Sequence, residues 1–324
     1  MWWWGGTEPK RAILASLFQA LLRSDEGMAV LGKGSAHGAC SLLHAAALGY
    51  GASIALDLPI TVRLLDRPSK REVTDKDSLL DAVLDVWIES KHPLPESYEK
   101  DELHWGVNSK IPVKQGLKSS AATSIAALRA LCDATKTQLE AADLVALSAQ
   151  AQLNAGVSLT GSIDDAWACS TKGWKLIDIQ APIAEGVLLT GEGPKSDDWT
   201  VLLVLRGERE QQPVMEDFAP HLQPYQQALN ALQDGNELVA ITWNGRGTVA
   251  ALRDIQGRKM SNDSFMNSAR SAGISGSGPA LVVIVPSQET PTLERLKKWY
   301  TTHYKNIEIV ETSFLSDETD DELE

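Results

Sequence analysis

The stretch Val113–Leu128, VKQGLKSSAATSIAAL, joins a glycine to a lysine, two serines and an alanine-rich run. The glycine permits a tight turn, and the alanine pattern predicts a helix from about Ser119 to Thr135. The first N–H groups of a helix have no partner within it, so they can bind an anion. Lys118 adds a positive charge, and Ser119 and Ser120 add hydroxyls that can reach a phosphate oxygen or Mg²⁺. The stretch could therefore form a phosphate site.

Helix packing explains the same residues in another way. Gly116 would start the helix, the two serines would cap it, and the alanines would allow close packing. The stretch does not match the Walker loop, because Ile111 and Pro112 stand where its first glycine would be, and no strand pattern leads in. The stretch alone leaves helix packing and phosphate binding open.

Two further segments could carry chemistry. Thr160–Cys169, TGSIDDAWAC, places adjacent carboxylates after a Gly-Ser turn, where one of them could hold a metal or accept a proton. Adjacent aspartates are also common in turns and at helix N-caps. Ala272–Val285, AGISGSGPALVVIV, has three glycines before an apolar strand, and such a loop can wrap its backbone around an anion. It can equally be an ordinary turn.

Composition limits the possible functions. The chain has 324 residues, of which 43% are apolar, and this length predicts two domains. A net charge of −13 argues against nucleic-acid binding and against binding to anionic membranes, because both need a broad basic surface. An anionic substrate must then meet a local group of cations, for which Lys33, Lys110 and Lys114 are candidates. The three cysteines have no metal or disulfide spacing, so a reducing, cytoplasmic setting is expected. No apolar run approaches the ~20 residues that span a bilayer.

The order of elements predicts an α+β fold rather than a doubly wound sheet. The segment that begins at Met28 predicts a strand, a glycine-rich bend, a short helix and a strand. Helical patterns cover Ser78–Glu89, Ser119–Thr135, Gln138–Ala155, His221–Gln233, Glu237–Leu252, Ser264–Ala269 and Thr292–Tyr304. Strand patterns cover Ala52–Leu65, Gly173–Ile179, Trp199–Leu205, Ala280–Val285 and Ile307–Thr312. Glycines and a proline in Gly186–Asp198 indicate a domain junction.

The motifs GLKSSAA, TGSIDDA and GISGSGPA, in that order, resemble those of the GHMP kinase superfamily. The lysine of the first motif and the opening stretch GKGSAHGACSLLHAAALGYGASIALDL are most similar to the archaeal-type shikimate kinases. The resemblance covers about Met28 to Thr312. It implies a two-domain α+β GHMP kinase fold, with a ribosomal-protein-S5-like N-terminal domain and a ferredoxin-like C-terminal domain. The expected parts are an N-terminal extension (1–27), an ATP-binding domain (28–190), a C-terminal domain (191–315) and an acidic tail (316–324).

The same resemblance implies an activity and a site. The activity is phosphorylation of the 3-hydroxyl of shikimate with ATP and Mg²⁺, in the biosynthesis of chorismate and aromatic amino acids. Asp164 would be the base, with Asp165 the alternative, Lys118 would be catalytic, and Ser120 would approach the metal. The ATP loop would be Pro112, Val113, Lys114, Gln115, Gly116, Leu117, Lys118, Ser119, Ser120, Ala121 and Ala122. A second loop would close on phosphate or substrate, and it consists of Ser275, Gly276, Ser277 and Gly278.

Several positions depart from the family pattern. Ala121 replaces a common serine, and His37, which we interpret as a loop or core histidine, replaces a proline. Where related kinases often have a glutamate as a metal ligand, this chain offers Gln150, Gln152 and Asn154, with Glu140 and Asp143 too early in the helix. Arg246 and Arg270 could bind a substrate carboxylate or could be surface arginines in ion pairs.

Two other functions stay open from the sequence. One is another GHMP kinase, acting on homoserine, mevalonate or pantoate. The other is a protein of this fold that binds a metabolite without catalysis, although such a protein would be expected to lose the aspartates or the glycine loop. Residues 1–27 have no counterpart in the resemblance, and we expect them to be dispensable for catalysis.

Overall fold

The computed structural model describes residues 29–69, 73, 75, 77–158, 160–209 and 213–315. The predictions for residues 1–27 and for the acidic tail lie outside this described part. The helices span Ala45–Leu48 (α1), Leu79–Glu89 (α2), Ser119–Thr135 (α3), Ala141–Asn154 (α4), Ile163–Ser170 (α5), Met215–Phe218 (α6), Leu222–Gln233 (α7), Glu237–Ala251 (α8), Ile255–Met266 (α9) and Thr290–His303 (α10).

The strands form two antiparallel sheets, so the fold is α+β. They span Val30–Leu43 (β1), Tyr50–Leu65 (β2), His104–Ser109 (β3), Trp174–Asp178 (β4), Val187–Gly191 (β5), Trp199–Leu205 (β6), Ser271–Ile274 (β7), Leu281–Pro286 (β8) and Glu308–Thr312 (β9). The first sheet has the order β1-β2-β4-β5, with β3 also paired to β2, and the second has the order β7-β8-β6-β9. The predicted division at residues 190 and 191 falls at the end of β5 and stays a prediction.

The glycine-rich bend predicted near the start of the chain is wrong, because β1 runs straight through those glycines. The glycines let the backbone of α3 lie directly on β1. A Cβ at Gly32 would lie 2.2 Å from the carbonyl oxygen of Ala130, and one at Gly34 would lie 2.1 Å from that of Ala126. Small residues on both elements therefore hold α3 against the first sheet.

The buried apolar side chains of β6 and β8 form the centre of the second sheet and pack against its helices. A bridge between Leu56 and Phe314 joins β2 to the segment after β9. The backbone N–H of Leu315 donates to the carbonyl of Ala55 at 3.1 Å, which extends this junction. Strands from early and late parts of the chain thus meet.

Most predicted elements match the structure, with three kinds of error. The helix predicted at Ser264–Ala269 is misplaced, because α9 begins at Ile255 and ends at Met266. The helix predicted from Gln138 begins at Ala141. The strands β3, β5 and β7 were not predicted, and β5 and β7 are only five and four residues long, which is too short for a clear periodic pattern.

Candidate active site

The start of α3 is open rather than capped by a side chain. Lys118 is the N-cap residue, with φ at 65°, and its side chain makes no capping hydrogen bond. The helix itself begins at Ser119, and both Ser119 and Ser120 line a cavity. The serine caps that the packing interpretation predicts are absent, whereas its close packing of the alanines is present in the contact of α3 with β1. The first N–H groups of α3 are instead available to an anion in the cavity.

The predicted glycine loop, Ser275–Gly278, packs directly on the loop before α3. The Ser275 hydroxyl donates to the carbonyl oxygen of Gly116 at 2.8 Å, and the N–H of Gly276 donates to the Ser41 hydroxyl at 3.1 Å. Gly116 has φ at 82°, and a Cβ there would lie 2.2 Å from the carbonyl oxygen of Ser275. Two loops that are far apart in the sequence therefore form one wall of the cavity.

Lys118 and Asp165 form an ion pair inside the cavity. The Lys118 Nζ lies 2.8 Å from Asp165 Oδ1, and the two side chains are 7% and 15% exposed. The Ser53 hydroxyl donates to the same carboxylate oxygen at 2.7 Å. Burial lowers the pKa of Lys118, but Asp165 and Asp164 outweigh burial and raise it above its usual value. The cavity therefore contains a fixed positive charge.

Asp164 occupies a drier position than Asp165. Its side chain is packed against Gly51, where a Cβ would lie 2.6 Å from the Asp164 Cγ. Burial, and then the charge of Asp165, raises the pKa of Asp164 to about 8. The Asp164 carboxyl thus gives up its proton at a higher pH than an ordinary aspartate. Two adjacent carboxyl groups with different surroundings are suited to different roles.

His44 is a neutral histidine at the same cavity. The N–H of Ala46 donates to its Nδ1 at 3.2 Å, so the ring proton is on Nε2, which lies 3.2 Å from the Ser277 hydroxyl. Burial, followed by the charge of Lys118, lowers the pKa of His44 to about 3. The His44 Nε2–H can therefore donate to Ser277 at any physiological pH and hold that hydroxyl in place.

The cavity has a volume of about 850 Å³ and joins all three sequence motifs. The predicted residues that line it are Val113, Lys114, Gly116, Lys118, Ser119, Ser120, Asp164, Gly276 and Ser277, together with the alternative base Asp165. The predicted residues behind this surface are Pro112, Gln115, Leu117, Ala121, Ala122, Ser275 and Gly278. The residues behind the surface support the wall of the cavity, as the hydrogen bond from the Ser275 hydroxyl to the Gly116 carbonyl illustrates.

Among the cavity residues that were not predicted from the sequence, Arg209 supplies a cation and His44 an imidazole ring. The Arg209 side chain is half-buried, its backbone N–H donates to the carbonyl of Lys114 at 3.2 Å, and burial lowers its pKa. No carboxylate pairs with it among the residues that the structure describes. Its position shortly after the apolar strand β6 was the available signal. His44 lies in the opening stretch that carries the resemblance, together with His37, which was the histidine considered from the sequence.

Other predicted candidates lie away from this cavity. His37 is half-buried on β1 opposite Pro59 and is not at the cavity, as the non-catalytic interpretation expects. Lys33 and Lys110 are exposed elsewhere, so Lys114 is the one of the three predicted lysines that lines it.

The two candidate arginines are also elsewhere. Arg270 pairs with Glu289 at 3.5 Å on the surface, and Arg246 stacks 4.5 Å from the ring centre of Trp243. Arg270 is therefore a surface arginine in an ion pair. Among the residues that the structure describes, Arg246 is not in such a pair and contacts an aromatic ring instead.

The helix that precedes the aspartates does not supply carboxylate ligands. Gln150 is hydrogen-bonded to Asn154 on the surface, and buried Gln152 donates to Ser148. Within the described part of the chain, no group of three His, Cys, Asp or Glu residues converges as a metal site. Across the same residues, no helix is both long and apolar enough to cross a membrane.

The chain is similar in sequence to known proteins. Residues 84–173 match the family described as GHMP kinases N terminal domain. The shikimate kinase of Thermococcus kodakarensis is 26% identical, and the match covers 84% of this chain and 100% of that protein. For the shikimate kinase of Methanocella arvoryzae the identity is 25%, over 86% of this chain and 92% of that protein. The shikimate kinase of Pyrococcus furiosus is 34% identical, and that match covers 46% of this chain and 54% of that protein.

Solved structures show the same fold. The mevalonate kinase of Methanococcus jannaschii superposes with a TM-score of 0.66 at 13% identity, covering 91% of this chain and 100% of that one. A homoserine kinase from Cytophaga hutchinsonii superposes with a TM-score of 0.58 at 17% identity, and the match covers 88% of this chain and 95% of that one. The predicted two-domain α+β GHMP kinase fold and the resemblance to these kinases are confirmed.

Proposed function

We propose that this kinase of GHMP fold transfers the γ-phosphoryl group of ATP to the 3-hydroxyl of shikimate, in the cytoplasm, as a step towards chorismate. The observation that carries the proposal is a single cavity in which the open start of α3, the Lys118–Asp165 pair and the glycine loop meet. Phosphoryl transfer depends mainly on positioning and charge neutralisation, which these groups supply. Curated shikimate kinases that match most of the chain support the choice of substrate.

The phosphates of ATP would lie at the start of α3. The N–H groups of Ser119 and Ser120 and the positive end of the helix favour anions there. Lys114 and Lys118 line the same region and add two cations to a strongly acidic protein. The loop at Gly276 provides backbone beside this helix start, where a side chain would be crowded by Gly116 and Lys118. The residues present therefore fit the phosphates of a nucleoside triphosphate.

The donor atoms also fit Mg²⁺ bound mainly by phosphate and water. Mg²⁺ prefers oxygen ligands and commonly takes one or two carboxylates together with substrate phosphates. The Ser120 hydroxyl and a carboxylate of the Asp164–Asp165 pair would hold it, and both residues line the cavity. The bound ion would neutralise part of the phosphate charge.

Asp164 would accept the proton of the substrate hydroxyl. It lies in the cavity beside Asp165, whose carboxylate is already bound by Lys118 and Ser53. Because its pKa is about 8, Asp164 is ionised in a growing fraction of molecules as the pH rises through 8. Activity that depends on the ionised form should therefore increase over this range.

Arg209 would bind the carboxylate of shikimate. It is a half-buried cation at the cavity, without a carboxylate partner among the described residues. The fixed fork of an arginine suits a planar carboxylate, with which it can form two parallel hydrogen bonds. Its hydrogen bond to the Lys114 carbonyl places it beside the phosphate loop.

The test is an ATP-consumption assay on shikimate, homoserine, mevalonate and pantoate, each with Mg²⁺. Shikimate should give the highest kcat/KM. A comparable or higher value with homoserine or mevalonate would assign the chain to another activity of this fold. Arg209→Ala should raise the KM for shikimate by about tenfold or more and leave the KM for ATP nearly unchanged, since one charge-assisted contact is lost. A raised KM for ATP alone would place Arg209 at the phosphates instead.

A further inference from the structure

A second cavity lies between helices α7, α8 and α9 and strand β7. Its volume is about 650 Å³, within the usual range for small-molecule sites. It shares no residue with the candidate active site. Its lining combines three arginines with aromatic and aliphatic side chains, among them Arg246, Arg253, Arg258, Trp243, Phe265 and Val249.

The charge of this cavity is opposite to that of the whole protein. The chain carries −13, yet the cavity has three arginines and one carboxylate, Asp254. That carboxylate is already paired with the buried Arg206 and also accepts the N–H of Gly257 at 2.8 Å. Within the described residues, Arg246, Arg253 and Arg258 form no ion pair. Three unpaired cations around one cavity attract an anion.

The apolar side of the cavity indicates that the ligand also has an apolar part. The guanidinium of Arg246 lies over the ring of Trp243, which fixes one cation on an aromatic wall. Half-buried Phe265 and the buried residues Val249 and Ala272 supply further apolar surface. An inorganic anion would leave this surface in contact with water. A ligand with a ring and an acidic group would use both parts.

We infer that this cavity, lined by Arg246, Arg253, Arg258, Trp243 and Phe265, is a binding site for a small organic anion that carries an aromatic or alicyclic ring. The guanidinium groups bind the acidic group, and Trp243 and Phe265 contact the ring. This inference does not depend on which substrate the kinase phosphorylates.

Two residues next to the lining of this cavity contact parts of the candidate active site. Asn244 stands on α8 next to Trp243, and its Oδ1 accepts the N–H of His44 at 2.9 Å. Arg206, which holds Asp254, also donates through Nε to the carbonyl of Pro279 at 2.7 Å, at the end of the glycine loop. A ligand in the second cavity therefore contacts elements that position the first.

The test uses a fluorescent probe and its uncharged counterpart on the full-length protein. The probe is 8-anilinonaphthalene-1-sulfonate, and the counterpart, N-phenyl-1-naphthylamine, lacks only the sulfonate. Arg253→Ala and Arg246→Ala should each raise the Kd of the sulfonate by about tenfold, the usual scale for a lost charge-assisted contact. The Kd of the amine should change little in Arg253→Ala. A non-hydrolysable ATP analogue together with shikimate should not displace the sulfonate.

Arg270→Ala is the control, because Arg270 is exposed like Arg246, Arg253 and Arg258 but lies outside the cavity, in an ion pair with Glu289. It should leave the Kd of the sulfonate unchanged, and thermal unfolding should show that all three variants are folded. The inference is overturned if both cavity variants bind the sulfonate as the wild type does. It is also overturned if Arg270→Ala weakens binding as much as they do, or if the ATP analogue and shikimate compete with the probe.

Discussion

At the scale of single residues, Asp164 and Asp165 show how neighbours in sequence acquire different properties. Asp165 faces Lys118 and the Ser53 hydroxyl, whereas Asp164 is packed against Gly51. The motif TGSIDDA shows that two aspartates are adjacent, but it does not predict this difference, because the residues that surround them come from distant segments of the chain. The choice of Asp164 as the base stays a prediction, and substitution of each residue tests it.

Asp164→Asn should lower kcat by roughly 10²–10⁴, the scale of a lost general acid–base group. The amide keeps the size of the side chain, so ATP binding and the melting temperature should change little. Asp165→Asn is the comparison, measured in the same steady-state assay. If Asp165→Asn lowers kcat far more than Asp164→Asn, then Asp165 is the proton acceptor.

Lys118→Met should shift the pH dependence of the reaction. The charge of Lys118 lowers the pKa of Asp164, so its removal should raise that pKa above about 8. The increase of kcat with pH should then occur at higher pH than in the wild type, and the KM for ATP should rise because a cation is lost. Measurement of kcat from pH 6 to pH 10 detects both effects.

Lys110→Met is the control for Lys118→Met, since Lys110 is exposed and outside the cavity. It should leave the pH profile unchanged. A large loss of thermal stability in Lys118→Met with normal kinetics would mean that the lysine serves packing alone.

At the scale of elements, the contact between β1 and α3 explains both a success and an error of the sequence analysis. The alanine pattern predicted α3 from Ser119 to Thr135, and the structure has those bounds. The glycines before it predicted a bend and instead form β1. Glycine is usually unfavourable in a strand, but here it permits the close approach of a helix backbone. That tertiary contact cannot be read from the local sequence.

Gly34→Ala should destabilise the protein by about 1–3 kcal/mol, the usual cost of overpacking. The added methyl group would lie 2.1 Å from the carbonyl oxygen of Ala126, and backbone atoms must move to make room. The measurement is the free energy of unfolding in urea. Gly106→Ala is the matched strand variant, because its nearest atom is the flexible end of Leu65 at 3.3 Å. Equal stability of the two variants would contradict the close packing of α3 on β1.

At the scale of the whole molecule, the candidate site is assembled from segments far apart in the chain. Lys118, Asp164 and Ser277 come from the three motifs, and the structure places all of them at one cavity. The motifs and the family resemblance were sufficient to predict this grouping. Arg209 and His44 were missed because each follows a strand without a distinctive pattern of its own. Their position depends on where those strands end relative to α3.

Removal of residues 1–27 should leave most of kcat intact. Within the described part of the chain, the residues that line the candidate site lie beyond this segment, and β1 begins at Val30. The measurement is kcat and solubility of a protein that starts at Met28, beside the full-length chain. Aggregation or loss of activity would mean that the first residues contribute to the folded kinase.

The most direct test of the proposed activity is to identify the product. The purified protein is incubated with ATP, Mg²⁺ and shikimate, and the phosphorus and proton NMR spectra of the mixture are recorded with time. The predicted result is equal formation of ADP and of shikimate phosphorylated at its 3-hydroxyl, with strongly reduced rates in Asp164→Asn. Formation of ADP at a rate that does not depend on shikimate, or a phosphate on any other position, would contradict the proposal.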